Sequence, residues 1–200
     1  MAAATSMAMV SKPEATEDLA LVRQCLEGDG IAMQRLYNRH AGRIYALGLR
    51  LTGSPSDAED VVQEAFVKAW KNLGRFRGDS AFGTWLFRIA TNLCRDLHKR
   101  RRPDLLEDAN DHSDEEAAPP GDTMARREIS KGLSKLSDVQ REVLVMHDML
   151  EMEHQEIAAV LDLPLGTSKS HLHRARARMR RALAGMRPPD AIPHHQGATP

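Results

Sequence analysis

Aromatic side chains make up 4% of this 200-residue chain, too few to fill the interleaved core of a large sheet sandwich. Any core must be mostly aliphatic, and helices are the expected way to build one. Only two cysteines occur, Cys25 and Cys94, separated by 69 positions. That spacing excludes a four-thiolate zinc site and a disulfide-stapled secreted scaffold, and a reducing cytoplasm is the expected location. No apolar run reaches the ~18 residues of a membrane-spanning helix, and residues 1–13 lack the basic start and apolar stretch of an export signal, so a soluble, unexported chain is expected. A Gly-rich phosphate loop, a nucleophile elbow and an H-E-x-x-H pair are also missing, which leaves no catalytic constellation to assign. No cofactor or metal site is expected.

What is present is enough chain for two small units: 22.3 kDa with 42% apolar residues. Lysine plus arginine and aspartate plus glutamate are 28 each, yet this neutrality is a cancellation of blocks. Residues 88–102 hold six bases and one acid, 104–122 hold eight acids and no base, and 169–187 hold seven bases and no acid. Segregation of this kind marks separate interaction surfaces, which a net charge of zero conceals.

Patterning divides the chain. Residues 1–16 and 187–200 lack periodicity and are expected to be unstructured. Residues 104–122 are acidic, contain Pro119-Pro120-Gly121, and read as a linker that cannot bury enough surface to offset chain entropy. Between these segments lie a first body over 17–103 and a second over 123–186. In the first, amphipathic helices are expected over 19–26 and 36–51. A capping box at Ser56-Asp57-Ala58-Glu59 opens a third helix, with Ala58, Val61, Val62, Ala65, Phe66, Ala69, Trp70 and Leu73 on one face. A fourth carries Phe82, Trp85, Leu86, Ile89, Ala90, Leu93 and Leu97, and stops at Pro103. In the second body, helices are expected over 123–136, from a capping box at Ser137-Asp138-Val139-Gln140 to Leu150, over 154–161, and from Thr167 to Ala184. The last two have the layout of a helix-turn-helix. The fold class is therefore all-α, with two small helical domains joined by a flexible acidic linker.

Three clusters stand out. In the final helix Lys169, His171, His173, Arg174, Arg176, Arg178, Arg180 and Arg181 flank a narrow stripe of Leu172, Ala175, Met179 and Leu183. Such a cationic rim can neutralise phosphates and reach base edges, whereas the plain alternative is a solvated helix. Phe76, Phe82, Trp85 and Phe87 fall within twelve positions beside Arg75, Arg77 and Arg88. This interleaving suits unstacked single strands, although periodicity equally assigns Phe82 and Trp85 to a core. Asp60, Gln63 and Glu64 share the polar face of the third helix, where they could accept from arginines of a partner protein or simply be solvated. His147 and His154 would share a side only if one helix ran through both, so a metal site there is not expected.

These residues resemble the extracytoplasmic-function group of bacterial RNA polymerase sigma factors, over most of residues 18–184. Residues 60–70 are similar to region 2.2, residues 76–92 to the minus-10 reading loop and helix, and residues 155–161 with 163–176 to region 4. The resemblance implies a non-catalytic specificity subunit that binds core RNA polymerase and recognises minus-10 and minus-35 elements of promoter DNA, as duplex and as opened non-template strand. It implies core-polymerase binding by Asp60, Gln63, Glu64, Phe66 and Trp70. Minus-10 contacts would fall to Phe76, Arg77, Gly78, Asp79, Ser80, Ala81, Trp85, Arg88, Asn92 and Arg95. Minus-35 contacts would fall to Thr167, Lys169, Ser170, His171, His173, Arg174 and Arg176. An anti-sigma partner is implied by the resemblance alone. The family has an apolar residue and an arginine where this chain has Ser168 and His171, so the promoter sequence does not carry over. Two rivals are a stand-alone helix-turn-helix repressor or activator and, far behind it, a metal-dependent hydrolase.

Overall fold

The computed structural model describes residues 12–101 and 124–184, and among them every regular element is helical. The first body consists of α1 (Lys12–Leu26), α2 (Gly30–Thr52), α3 (Pro55–Asn72), a 3-10 turn (Leu73–Arg75) and α4 (Phe82–Arg101). The second consists of α5 (Met124–Ser134), α6 (Asp138–Leu144), a π-helical turn (Val145–Met149), α7 (His154–Leu161) and α8 (Leu165–Leu183). The acidic linker over 104–122 and the tail over 187–200 lie outside the described residues. Of the stretch expected to be unstructured at the start, 12–16 already belong to α1.

Local chemistry sets the breaks. The Asp29 carboxylate accepts from the Ile31 and Ala32 amides at 2.8 and 3.3 Å, which starts α2. α3 starts ahead of the expected box at Ser56: Pro55 supplies a preset φ in the first turn, and the Ser54 hydroxyl accepts from the Asp57 amide at 3.3 Å. A Cβ added at Gly48 would lie only 3.1 Å from Ala58 Cα, closer than ordinary van der Waals contact, so a side chain there would push α2 and α3 apart.

The periodic stripes pack as expected with one exception. Val61, Ala65, Phe66 and Ala69 of α3 and Phe82, Leu86 and Ala90 of α4 are buried with Leu36, Ile44 and Leu47 of α2, but Trp70 is 45% exposed. The stripe also hides a polar group that periodicity does not flag. Asp18 is fully buried, with Arg39 Nη1 and His40 Nε2 each 2.7 Å from its carboxylate oxygens, and this pins α1 to α2.

In the second body Ser137 occupies the N-cap of α6, but the expected reciprocal bonds are not made; buried Gln140 instead accepts from Arg178 of α8 at 3.0 Å. The helix through His147 does not continue. It widens into the π-helical turn, where the Leu150 amide donates to the Val145 carbonyl at 3.1 Å, and breaks at Glu151, whose φ is 54°. α7 covers the expected residues. α8 begins two positions before Thr167, because Pro164 ends the turn and takes the cap position.

Candidate functional site

Asp60, Gln63 and Glu64 all face solvent on α3, and Glu64 pairs with Lys68 one turn on at 3.0 Å. Phe66, expected among the partner-binding residues, is 6% exposed and packs against Tyr37 with ring centroids 4.8 Å apart and the ring planes tilted by 54°. It supports this face from beneath and does not present itself. The apolar surface beside the carboxylates is Val67, Trp70 and Tyr37, at 50%, 45% and 42% exposure. Val67 and Tyr37 give no signal in the sequence because each is a single apolar residue off its helix's stripe. Such a residue becomes informative only once the neighbouring helix is placed.

The aromatic cluster brings three rings into mutual contact. Phe76 lies 5.8 Å edge-on from Phe82 and 5.2 Å from Trp85, and Phe82 lies 5.8 Å from Trp85. Phe82 is fully buried, while Phe76 and Trp85 are half-buried, so one ring is core and two keep exposed area. The loop between them exposes Arg77, Gly78 and Asp79, with Ser80 and Ala81 half-buried. Gly78 has φ 77°, and a Cβ there would meet Leu19 at 3.5 Å, so the loop needs glycine for conformation more than for space. Asn92 is exposed on the next turns of α4.

Arg88 and Arg95, expected among the minus-10 contacts, are engaged by the second body. The Arg95 guanidinium donates through Nε and Nη2 to both Glu142 oxygens at 2.6 Å each, and Arg88 Nη2 donates to the Ala159 carbonyl. Both acceptors belong to the second body. Glu142 is 3% exposed, and its burial pushes the carboxyl above its ordinary value against the pull of Arg95. The hydrogen bond from Arg95 to Glu142 in turn holds the guanidinium higher than usual, so Arg95 stays charged.

On α8, Lys169, Ser170, His173 and Arg174 are exposed, while Thr167 and His171 are half-buried. Nδ1 of His171 is buried without a hydrogen-bond partner among the described residues, so this ring is turned partly into the body. Ser168, the departure from the family pattern, is fully buried; its hydroxyl is 3.0 Å from His154 Nδ1 on α7. A polar link thus replaces an apolar one between the two helices of the helix-turn-helix. Arg176 is not free either: its fork grips Asp148 at 2.9 and 2.5 Å. Burial alone would raise the Asp148 carboxyl, but the hydrogen bonds from Arg176 and His147 outweigh it and hold the group below its ordinary value. The His147 and His154 rings meet at 4.7 Å although no single helix joins them. His154 is pushed below its ordinary value by burial first, then by His147, Lys169 and Arg176. Among the described residues no three His, Cys, Asp or Glu side chains gather as a metal site, and no helix is long and apolar enough to cross a membrane.

Comparison with known proteins follows the same division. Residues 36–103 match the family described as Sigma-70 region 2, and residues 126–179 the one described as Sigma-70, region 4. The RNA polymerase sigma-H factor of Pseudomonas aeruginosa is 35% identical over 84% of this chain and 94% of its own length. The ECF RNA polymerase sigma factor SigW of Bacillus subtilis is 33% identical over 81% of this chain and 94% of its own. A solved co-crystal structure of the sigma factor RpoE with the anti-sigma factor NepR from Bartonella quintana is similar at a TM-score of 0.60 and 25% identity, over 77% of this chain and 98% of that one.

Proposed function

This chain belongs to the extracytoplasmic-function sigma factors of RNA polymerase, and from that premise we propose how its promoter-recognising work is divided over its surfaces. Region 2 takes residues 17–103, region 4 takes 123–186, and the acidic stretch over 104–122 spaces them. Asp60, Gln63 and Glu64, with Trp70 and its neighbours Tyr37 and Val67, dock on core polymerase: carboxylates accept from arginines at the rim while the apolar side chains desolvate at the centre. The Phe76–Trp85 pair and the loop carrying Arg77, Gly78 and Asp79 capture bases of the opened non-template strand together with Asn92. Lys169, Ser170, His173 and Arg174 hold the upstream duplex.

The protein performs no covalent chemistry in this scheme. Flipping a base costs a few kcal/mol, and stacking on an aromatic ring returns about 1–3 kcal/mol per base, so capture can drive opening without nucleotide hydrolysis. The chain works in the cytoplasm, where polymerase and promoter are. An anti-sigma factor is a further partner; the support is that the similar RpoE was solved with one.

The observation that carries this reading is the joint exposure, in chain order, of the α3 carboxylates, the Arg77–Asp79 loop and the Lys169–Arg174 rim. Run-off transcription with purified core polymerase tests it. The full chain is expected to confer defined start sites on core enzyme that has none; transcripts without start-site choice would overturn it.

A further inference from the structure

His147 and His154 come together without the continuous helix that their spacing would require. His147 lies in the π-helical turn and His154 is the first residue of α7, and the break at Glu151 brings their ring centroids to 4.7 Å with the planes tilted by 41°. Each ring is held by one nitrogen. Nδ1 of His147 is 2.9 Å from the Asp148 carboxylate, which Arg176 grips from α8, and Nδ1 of His154 is 3.0 Å from the hydroxyl of fully buried Ser168. A carboxylate accepts only, so Nδ1 of His147 carries the proton and Nε2 keeps its lone pair; the Ser168 hydroxyl can accept from His154 in the same way. Among the described residues no hydrogen bond engages Nε2 of either ring. Both half-buried rings line one open cleft, with Glu151, Glu153, Gln155 and Lys169 around them.

Ligating histidines are held in this manner: Nδ1–H is tied to an oxygen that fixes tautomer and orientation, and a bare Nε2 is left on the opposite edge of the ring. Two Nε2 atoms about 2.1 Å from one ion and about 90–110° apart around it set their ring centroids about 4.5–5.3 Å from each other. The observed separation of 4.7 Å falls inside that interval. We propose that His147 and His154 hold, through Nε2, a divalent cation of the nickel, copper and zinc class. Imidazole nitrogens select these ions over magnesium and calcium, which take oxygen ligands. No third His, Cys, Asp or Glu among the described residues joins the pair as a ligand, so the remaining coordination positions are left to water and the ion is exchangeable, unlike that of a closed structural centre. Glu151 and Glu153 in the cleft offset the charge of Lys169. The ion ties the π-helical turn to α7 and, through His154 and Ser168, to α8, and because the unfolded chain does not hold the two rings together, its binding stabilises the second body.

The test is a calorimetric titration of the full chain with nickel(II) chloride, together with thermal melts with and without the metal. The chain has nine histidines, and the adjacent His194 and His195 are a rival pair, so the reference is a chain carrying His194→Ala and His195→Ala, into which His147→Gln or His154→Gln is added. The reference chain is expected to bind one nickel ion and to melt at a higher temperature with it. Each glutamine variant is expected to lose affinity by about tenfold or more, the lower end of what losing even an orienting partner of a ligand costs, and to lose the metal-induced rise. Nickel binding that disappears with the tail histidines, or that survives both glutamine substitutions, overturns the site. An equal rise with magnesium chloride overturns the assignment to imidazole. Because His154→Gln also takes away the partner of Ser168, nitrogen-15 spectra of the reference chain's histidines read the site without substituting either ring. Zinc(II) chloride is expected to shift Nε2 of His147 and His154 while Nδ1 stays protonated, and shifts confined to other histidines overturn the proposal.

Discussion

Arg95 on α4 and Glu142 on α6, 47 positions apart, form a two-pronged ion pair with both bonds at 2.6 Å. The pair joins a residue expected to read DNA to a residue of the other body. It shows that a basic residue on a helix face rich in arginine is not by that fact unpaired. The same holds for Arg176, whose partner is Asp148.

The buried cluster of Asp18, Arg39 and His40 makes α1 a structural part of the first body. Asp18→Ala leaves the buried His40 without its acceptor, while Arg39 keeps its bond to Glu17, and an expected loss is about 3–5 kcal/mol. Urea unfolding followed by circular dichroism checks it; a midpoint equal to the parent's would contradict the role given to Asp18.

Phe66 and Trp70 separate stability from docking. Phe66→Ala removes a ring that is 6% exposed and is expected to cost about 3–5 kcal/mol. Trp70→Ala, at an exposed position, is expected to cost far less stability and to weaken binding to core polymerase, and the same weakening is expected of Asp60→Arg. Co-purification with core enzyme alongside a thermal melt distinguishes the two, and full retention of Trp70→Ala on polymerase would count against the docking face.

For the upstream duplex, Lys169→Ala and Arg174→Ala each remove one exposed cation from α8. Affinity for minus-35 duplex should fall, and the slope of log affinity against log salt should shrink by about 1 for each phosphate no longer neutralised. Arg178→Ala breaks the bond to Gln140 and should act on stability more than on slope. Parallel salt plots for Lys169→Ala, Arg174→Ala and the parent would remove α8 from the phosphate-binding surface.

Asp148 gives the second body a pH dependence. Its folded value lies below the unfolded one because the Arg176 and His147 bonds outweigh burial. The native state therefore binds fewer protons, and the stabilisation is present above the ordinary carboxylate value of about 3.9 and is lost as pH falls through the lowered one. Asp148→Asn should differ from the parent in unfolding midpoint at pH ~6 and converge with it in acid. A constant difference across that range would exclude the pair as the cause.

Burial pushes the Cys94 thiol up to about 12 and raises Cys25 as well. Neither forms appreciable thiolate at a pH of about 8, so a colourless disulfide reagent should release almost no colour from the folded chain and react with both cysteines after denaturation. Rapid reaction of either cysteine in the native state would show that the first body opens readily.

Most of the fold could be read from the chain because its causes are local. Apolar residues recurring at three and four positions dictate which face of α3 and α4 is buried, Gly53, Pro55 and Pro164 dictate where helices break, and blocks of charge locate the basic surfaces. What the chain could not reveal depends on partners distant in sequence. That Phe66 lies inside and Trp70 outside follows from where Tyr37 of α2 sits; that Asp18 is buried follows from Arg39 and His40; that Ser168 is tolerated in a core follows from His154 across the turn. Periodicity ranks residues only by their own helix, whereas burial and charge pairing are set by the neighbouring helix. Tertiary structure alone therefore decided which of the basic residues face solvent and which are already engaged by a carboxylate or a carbonyl.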